Sequence, residues 1–214
     1  MKEFCTEEIF LNDVEAHRLE ILVDDGLRRH LKFRRPETYS MGFDIITWPG
    51  YLCYCGDMGT YVFSRIADMF EFFRTDRKQP RPGKTLCINR QYWAEKVQAA
   101  DKSDGIEEFD ADLFRSVVVE RHREWVRDCG DRYAVGDRID LRQELRSQVL
   151  CESDNGEQAA VRAAMDFYHR QTKFSMDDFY DHRMRRYTQR FTWCCYALAW
   201  GILQYDESKE EVTA

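Results

Sequence analysis

Histidine and cysteine are the side chains whose chemistry spacing would reveal first. The five histidines are His17, His30, His122, His169 and His182. No two stand three or four residues apart, the separation that puts two metal ligands on one helical face. Only convergence in space would bring them together. The eight cysteines are Cys5, Cys53, Cys55, Cys87, Cys129, Cys151, Cys194 and Cys195. They include no CxxC and no paired Cys/His spacing of the zinc type. Neighbouring Cys194 and Cys195 diverge by about 100° on a helix and do not cooperate. The cysteines read as structural thiols in a reducing compartment. No GxxxxGK[ST], GxGxxG, GxSxG or HExxH is present. Asp44, Glu95 and Lys96 would suit a nuclease, but residues this frequent match such patterns by accident. No catalytic residue, metal ligand or cofactor is therefore assigned.

Contact chemistry is more visible. Trp48, Tyr51, Tyr54 and Tyr61 surround two turns, Pro49-Gly50 and Gly56-Asp57-Met58-Gly59, with Asp57 between them. Tyrosine and tryptophan give large contact area at small entropic cost and dominate interface hot spots. These five residues are the candidate partner-binding set, a rigid rim on hairpin tips. Packing between sheet and helix is the competing role for the aromatics. The GDMG turn joins antiparallel strands and does not open a helix, so it is not read as a phosphate loop.

The elements that position these residues follow from periodicity. HRLEILV alternates Leu19, Ile21 and Val23 with polar neighbours, and Asp25-Gly26 turns the chain. The return strand sets Leu31 and Phe33 on one face. Arg28, His30, Lys32 and Arg34 form the other, a solvated row or a surface for an acidic partner. Phe43–Trp48, Tyr51–Cys55 and Thr60–Phe63 complete an antiparallel meander of about five strands. Along the fourth strand Tyr51, Cys53 and Cys55 point one way, and Leu52 and Tyr54 the other. A helix from Ser64, with Ile66, Met69, Phe70 and Phe73 inward and Asp68 and Glu71 outward, covers the sheet. TLCI is a candidate extra strand. Helices are expected over Gln91–Ala100, Phe109–Cys129 (with Gly130 as C-cap), Asp140–Cys151 and Glu157–Arg170. A last helix runs from Ser175 to about Tyr205, charged in its first half (Asp181, His182, Arg183) and then apolar all round as a core spine. The final DESKEEVTA should fray.

The fold class is α+β. The division expected is 1–76, sheet plus helix; 77–90, a Pro/Gly-rich basic linker; and 91–214, a helical region sharing one core with the sheet. A chain of 214 residues buries such a core. The 43% hydrophobic content argues against disorder, and a net charge of −7 argues against broad phosphate-backbone binding. The opening MKEFCTEEIF has no apolar run of the secretory type, and the longest apolar stretch is short of a bilayer span. A cytoplasmic location and no membrane partner are expected.

FDIITWPGYLCYCGDMGTYVFSRIADMFEFFR, with the later RFTWCCYALAWGILQYD, resembles a family of accessory proteins encoded in phages and prophages. The two segments cover about a quarter of the chain. The resemblance brings over no catalytic residue. It implies a small protein acting in a bacterial host, and proteins of this kind often inhibit host defences, CRISPR–Cas complexes included. The reading it supports is a non-catalytic inhibitor that occludes a functional surface of a host protein or protein–nucleic-acid complex. Acidic side chains would supplement the aromatic rim against a basic groove. Two alternatives stay open. One is an enzyme acting on a nucleotide or nucleic acid, its site assembled only in three dimensions around the histidines and the arginines of the last helix. The other is a phage structural or assembly factor.

Overall fold

Two-residue connections at 26–27, 49–50 and 57–58 return a strand beside itself, so the strands they join can only be antiparallel. The structure is a computed structural model and describes residues 5–77, 83, 85–103, 105–179 and 182–213. Helix α1 (Glu7–Val14) opens the chain, capped by Thr6 Oγ1, which accepts the Ile9 N–H at 3.3 Å. Strands β1 (Arg18–Asp25), β2 (Arg28–Arg34), β3 (Phe43–Trp48), β4 (Tyr51–Gly56) and β5 (Gly59–Ser64) then pair in chain order. The turn between β3 and β4 places Gly50 at φ +85°, a conformation that Pro-Gly supplies without strain.

The covering helix α2 (Met69–Arg77) starts later than periodicity suggests. Asp68 sets the start: its Oδ1 accepts the Phe70 N–H at 2.9 Å. Asp68 does not face solvent, because both its oxygens also hold the Arg29 guanidinium, at 2.9 and 3.0 Å. Ile66 falls in the preceding bend and is 43% exposed, not part of the apolar face. A second correction concerns residues 91–100. Helix α3 (Arg90–Ala94) ends after five residues, and β6 (Val97–Ala100) pairs with the edge of β5 as a sixth strand. TLCI forms no strand. Of the basic segment 77–84, residues 78–82 and 84 lie outside the described residues.

Beyond β7 (Glu107–Phe109) the chain is mainly helical. Helix α4 (Ala111–Cys129) is capped by buried Asp110, whose Oδ1 accepts the Leu113 N–H at 3.0 Å. Gly130 does not end it as a C-cap but begins a 3₁₀ turn, Gly130–Arg132. The helix expected over 140–151 is three pieces: α5 (Val135–Glu144), a wide π turn at Leu145–Val149 and a 3₁₀ stretch at Leu150–Asp154. Helix α6 (Glu157–Asp166) is followed by a small hairpin, β8 (Tyr168–His169) with β9 (Phe174–Ser175), and then by β10 (Arg185–Tyr187).

The last helix, α7 (Gln189–Thr213), begins fourteen residues after Ser175 and continues through the expected frayed tail. Ser175 Oγ turns to Asp177 at 3.2 Å and caps no helix. Thr188 does so instead, its Oγ1 accepting the Phe191 N–H at 3.1 Å. His182 and Arg183 thus precede the helix, and Asp181 lies outside the described residues. The far end of α7 holds to the sheet through Asp24, which accepts from the Tyr205 hydroxyl at 2.9 Å and pairs with Lys209.

The chain forms two compact units. One unit is Lys2–Glu107 with Tyr187–Ala214; the other is Glu108–Arg186. Each has its own core. In the first, Leu31, Phe33, Phe43, Ile45, Tyr54, Tyr61 and Phe63 on the inner sheet face meet Phe10, Phe70, Phe73 and the spine Phe191–Leu198. In the second, Phe114, Val118, Leu141, Leu145, Ala160, Phe167, Phe174 and Phe179 pack together. The spine helix is buried on every side from Phe191 to Leu198, as an all-round apolar stretch requires. Among the described residues no helix is long and apolar enough to cross a membrane.

Candidate functional site

Strand register decides which predicted contact residues reach the surface. Cross-strand partners share a face. The row Leu31, Ile45, Tyr54, Tyr61 therefore points into the core, and the neighbouring row His30, Ile46, Cys53, Val62 points out. Tyr54 and Tyr61 are completely buried. They cannot touch a partner, and they leave the candidate set as core residues. Tyr61 donates its hydroxyl to Gly105 O at 3.2 Å.

The two turns also do not form one rim. They terminate the same strand, β4, whose six residues span about 20 Å. Asp57 stands at the far end, where its Oδ2 accepts the Met41 N–H at 3.0 Å and fixes the incoming loop. Trp48 and Tyr51 stand at the near end, paired across the β3–β4 register. Their rings stack at 5.4 Å with 15° between planes, and both stay about 40% exposed (39% and 41%). The turn beneath them is pinned, since Gly50 N–H donates to Ala67 O at 3.0 Å. Half-buried Ile46, Cys53 and Val62 and exposed Val23 continue the apolar surface along the outer face.

The chain matches no protein-family model, no curated protein and no solved structure.

The other half of the outer face is charged and internally paired. Asp44 accepts from Arg34 at 2.7 Å and meets His30 Nε2 at 2.8 Å, and Lys32 pairs with Glu20 at 3.1 Å. Cys55 lies directly opposite Asp44 in the register. Interaction with the neighbouring Cys53 thiol holds the Cys55 thiol down at about 7 and pushes Cys53 up; burial and the Asp44 charge oppose the shift on Cys55, and His30 and Arg34 favour its thiolate. Sequence reading placed both cysteines on one face but not their unequal acidity, which needs the residues of β2 and β3. All eight cysteines are free thiols.

In the helical unit a cavity of about 450 Å³ has Val118, Val119, Leu145 and Leu150 as its apolar lining and His122, Arg123, Arg142 and Arg146 as its polar one. Burial, and then the nearby Arg142 charge, hold the His122 imidazole below its ordinary 6.5. Its Nε2 has no hydrogen-bond partner among the described residues. Arg142 and Arg146 are one helical turn apart, and no carboxylate among the described residues pairs with either. The cavity suits an anion carrying an apolar group. It does not place carboxylates beside His122, as acid–base chemistry on a nucleotide would favour.

The remaining histidines have local roles. His17 Nε2 lies 3.1 Å from Met41 O, and burial holds its imidazole low. His182 and Asp178 share Arg121, at 3.2 and 2.6 Å. Fully buried His169 faces Asp140 and Glu144 of α5.

Proposed function

We propose that this protein works by binding, and that a protein partner docks on the outer face of its sheet. The observation that carries this is the exposed, stacked Trp48–Tyr51 pair on a pinned turn, continuous with Ile46, Cys53 and Val62. An aromatic pair held rigid before contact loses little entropy on binding and makes a good anchor. The charged half of the face is already paired within itself, so the contact is centred on the apolar half. The resemblance to phage and prophage accessory proteins supplies the context: a cytoplasmic protein of an infected or lysogenic bacterium that occludes a surface of a host defence complex. Plaque counts on defence-bearing hosts, with and without the gene, test it. The gene should raise plating efficiency, and a Trp48→Ala/Tyr51→Ala double variant should not. No effect on any defence-bearing host would contradict the anti-defence reading.

A second reading rests on the His122 cavity: recognition of a phosphorylated small ligand, a nucleotide for instance. Two unpaired guanidiniums and a half-buried imidazole above an apolar floor fit a phosphoryl group with an attached ring. Saturable ATP or pyrophosphate binding, weakened by Arg142→Gln, would support it. Absence of binding at millimolar concentration would remove it.

A further inference from the structure

The floor and rim of the cavity in the helical unit come from two stretches of chain. On α4, Val118 and Val119 stand one turn before His122 and Arg123, so that wall passes from apolar to cationic along the helix. The other wall is the stretch 142–150. Arg142 and Arg146 lie exposed at its rim, and no carboxylate among the described residues neutralises them. Leu145 and Leu150 are five residues apart, which in an α-helix turns their side chains about 140° from each other. The π turn changes this: the Leu150 N–H donates to Leu145 O across one wide turn, and both leucines reach the cavity. Such turns are frequent at functional sites.

The lining is aliphatic or cationic apart from one imidazole. Among the described residues it holds no Phe, Tyr or Trp, and no carboxylate, amide or hydroxyl side chain. A nucleobase buried there would present its amino and ring N–H groups to side chains that accept at no more than one imidazole nitrogen, and buried donors without partners are costly. It would also find no aromatic side chain of the usual kind to stack on. An alkyl chain asks for neither. Guanidinium groups hold phosphate through forked, charge-assisted hydrogen bonds. Arg142 and Arg146 are open for this, whereas Arg123 is shared with Glu120 at 3.5 Å. A volume of about 450 Å³ is the size of a small-molecule site.

We infer that this cavity takes a soluble amphiphile, a short aliphatic chain ending in a phosphate, with the phosphate on Arg142 and Arg146 and the chain along Val118, Val119, Leu145 and Leu150. This ligand falls within the phosphoryl recognition of the second reading, on which it rests, with a chain in place of the ring. A chain of net charge −7 gains nothing from an anionic bilayer surface, which favours a ligand free in solution over a lipid headgroup.

Isothermal titration calorimetry of the full chain with n-octyl phosphate, n-butyl phosphate and AMP tests this. One equivalent of octyl phosphate should bind per chain. Each methylene taken out of water strengthens binding about fourfold, so the four extra methylenes should give octyl over butyl phosphate an advantage of at least about tenfold, even on a half-open floor. AMP should bind no better than butyl phosphate. Arg142→Gln, at an exposed position, should weaken octyl phosphate by about tenfold. Val119→Ser should shrink the octyl advantage and leave butyl phosphate as it was. Circular dichroism checks both folds. AMP bound more tightly than octyl phosphate, or octyl and butyl phosphate bound equally, would overturn the chain and leave phosphoryl recognition standing. Absence of saturable binding by all three at millimolar concentration would remove both. Phosphatidylcholine vesicles containing phosphatidic acid should leave the protein in the supernatant. Sedimentation with them that Arg142→Gln abolishes would make the ligand a bilayer lipid and overturn the soluble form.

Discussion

Gly201 of α7 stands where any side chain would collide with Ile45 of β3: a Cβ there would lie 2.7 Å from Ile45 Cδ1 and 3.1 Å from the Phe33 ring. Helix and sheet touch at this point with no room between them. In an unconstrained helix interior, alanine in place of glycine gains about 1 kcal/mol. Here the overlap should reverse the sign, and Gly201→Ala should cost about 1–3 kcal/mol. Urea denaturation reads this as a lower midpoint with an unchanged slope. A raised midpoint would mean that α7 does not lie so close to the sheet.

Asp68→Ala should be more damaging than the loss of an ordinary helix cap, which costs about 1 kcal/mol. The same carboxylate neutralises Arg29, whose side chain is only 10% exposed and lies over the Phe70 ring at 4.6 Å. Removing one partner of a buried pair leaves a charge without compensation, at about 3–5 kcal/mol. Asp68→Asn keeps a capping oxygen and should fall between the two. Chemical denaturation of the three proteins should rank them wild type, Asn, Ala.

Much of this was legible in the chain, and the failures have physical causes. Period-two alternation located β1 to β5 and set Tyr51 and Tyr54 on opposite faces. That alternation already argued against grouping Tyr54 with Tyr51 in one rim. Length did the rest, because two turns at the two ends of one strand cannot meet. The α7 spine was legible because a helix apolar all round has no solvent face to offer. Its start was not: Thr188 and Ser175 are equally good caps in sequence, and tertiary hydrogen bonds choose between them. The strand β6 was hidden because VQAA has no β signal of its own and pairs only because β5 offers an edge. The His122 cavity and the approach of His169 to Asp140 and Glu144 each bring together segments about 20 or more positions apart, which no spacing rule reaches.

Acid should destabilise the protein through His17 and His122. Burial lowers both below the ordinary 6.5. Between the folded value and 6.5 the unfolded chain binds more protons, so stability rises with pH in that window and is lost as pH falls through it. The melting temperature should drop between pH 7.5 and 5.5, and less steeply in His122→Gln. If the second reading holds, inorganic pyrophosphate should restore part of the loss, since an anion beside His122 favours its protonated form. A melting temperature that rises on acidification would contradict the burial of these rings.

Cys55 should be the thiol that reacts first. With its thiol held below the ordinary 9.0, Cys55 carries more thiolate at neutral pH than the about 1% of an ordinary thiol. Iodoacetamide labelling at pH 7, resolved by peptide mass spectrometry, should mark Cys55 well before buried Cys194 and Cys195. Cys53→Ala removes the interaction between the two thiols and should slow Cys55 labelling several-fold. Equal rates in the two proteins would show that the pair is not coupled.

The central claim is that the outer sheet face, anchored by Trp48 and Tyr51, holds a protein partner. Affinity capture from host lysate with wild type and with Trp48→Ala/Tyr51→Ala tests it most directly. Both rings are part-exposed, so the double variant should stay folded while losing two anchors. Truncated hot spots cost about 2 kcal/mol or more each, so retention should fall by well over tenfold. The account predicts a near-stoichiometric partner on the wild type and its loss from the double variant. Recovery of no such partner by the wild type, or equal recovery by both proteins, would contradict it.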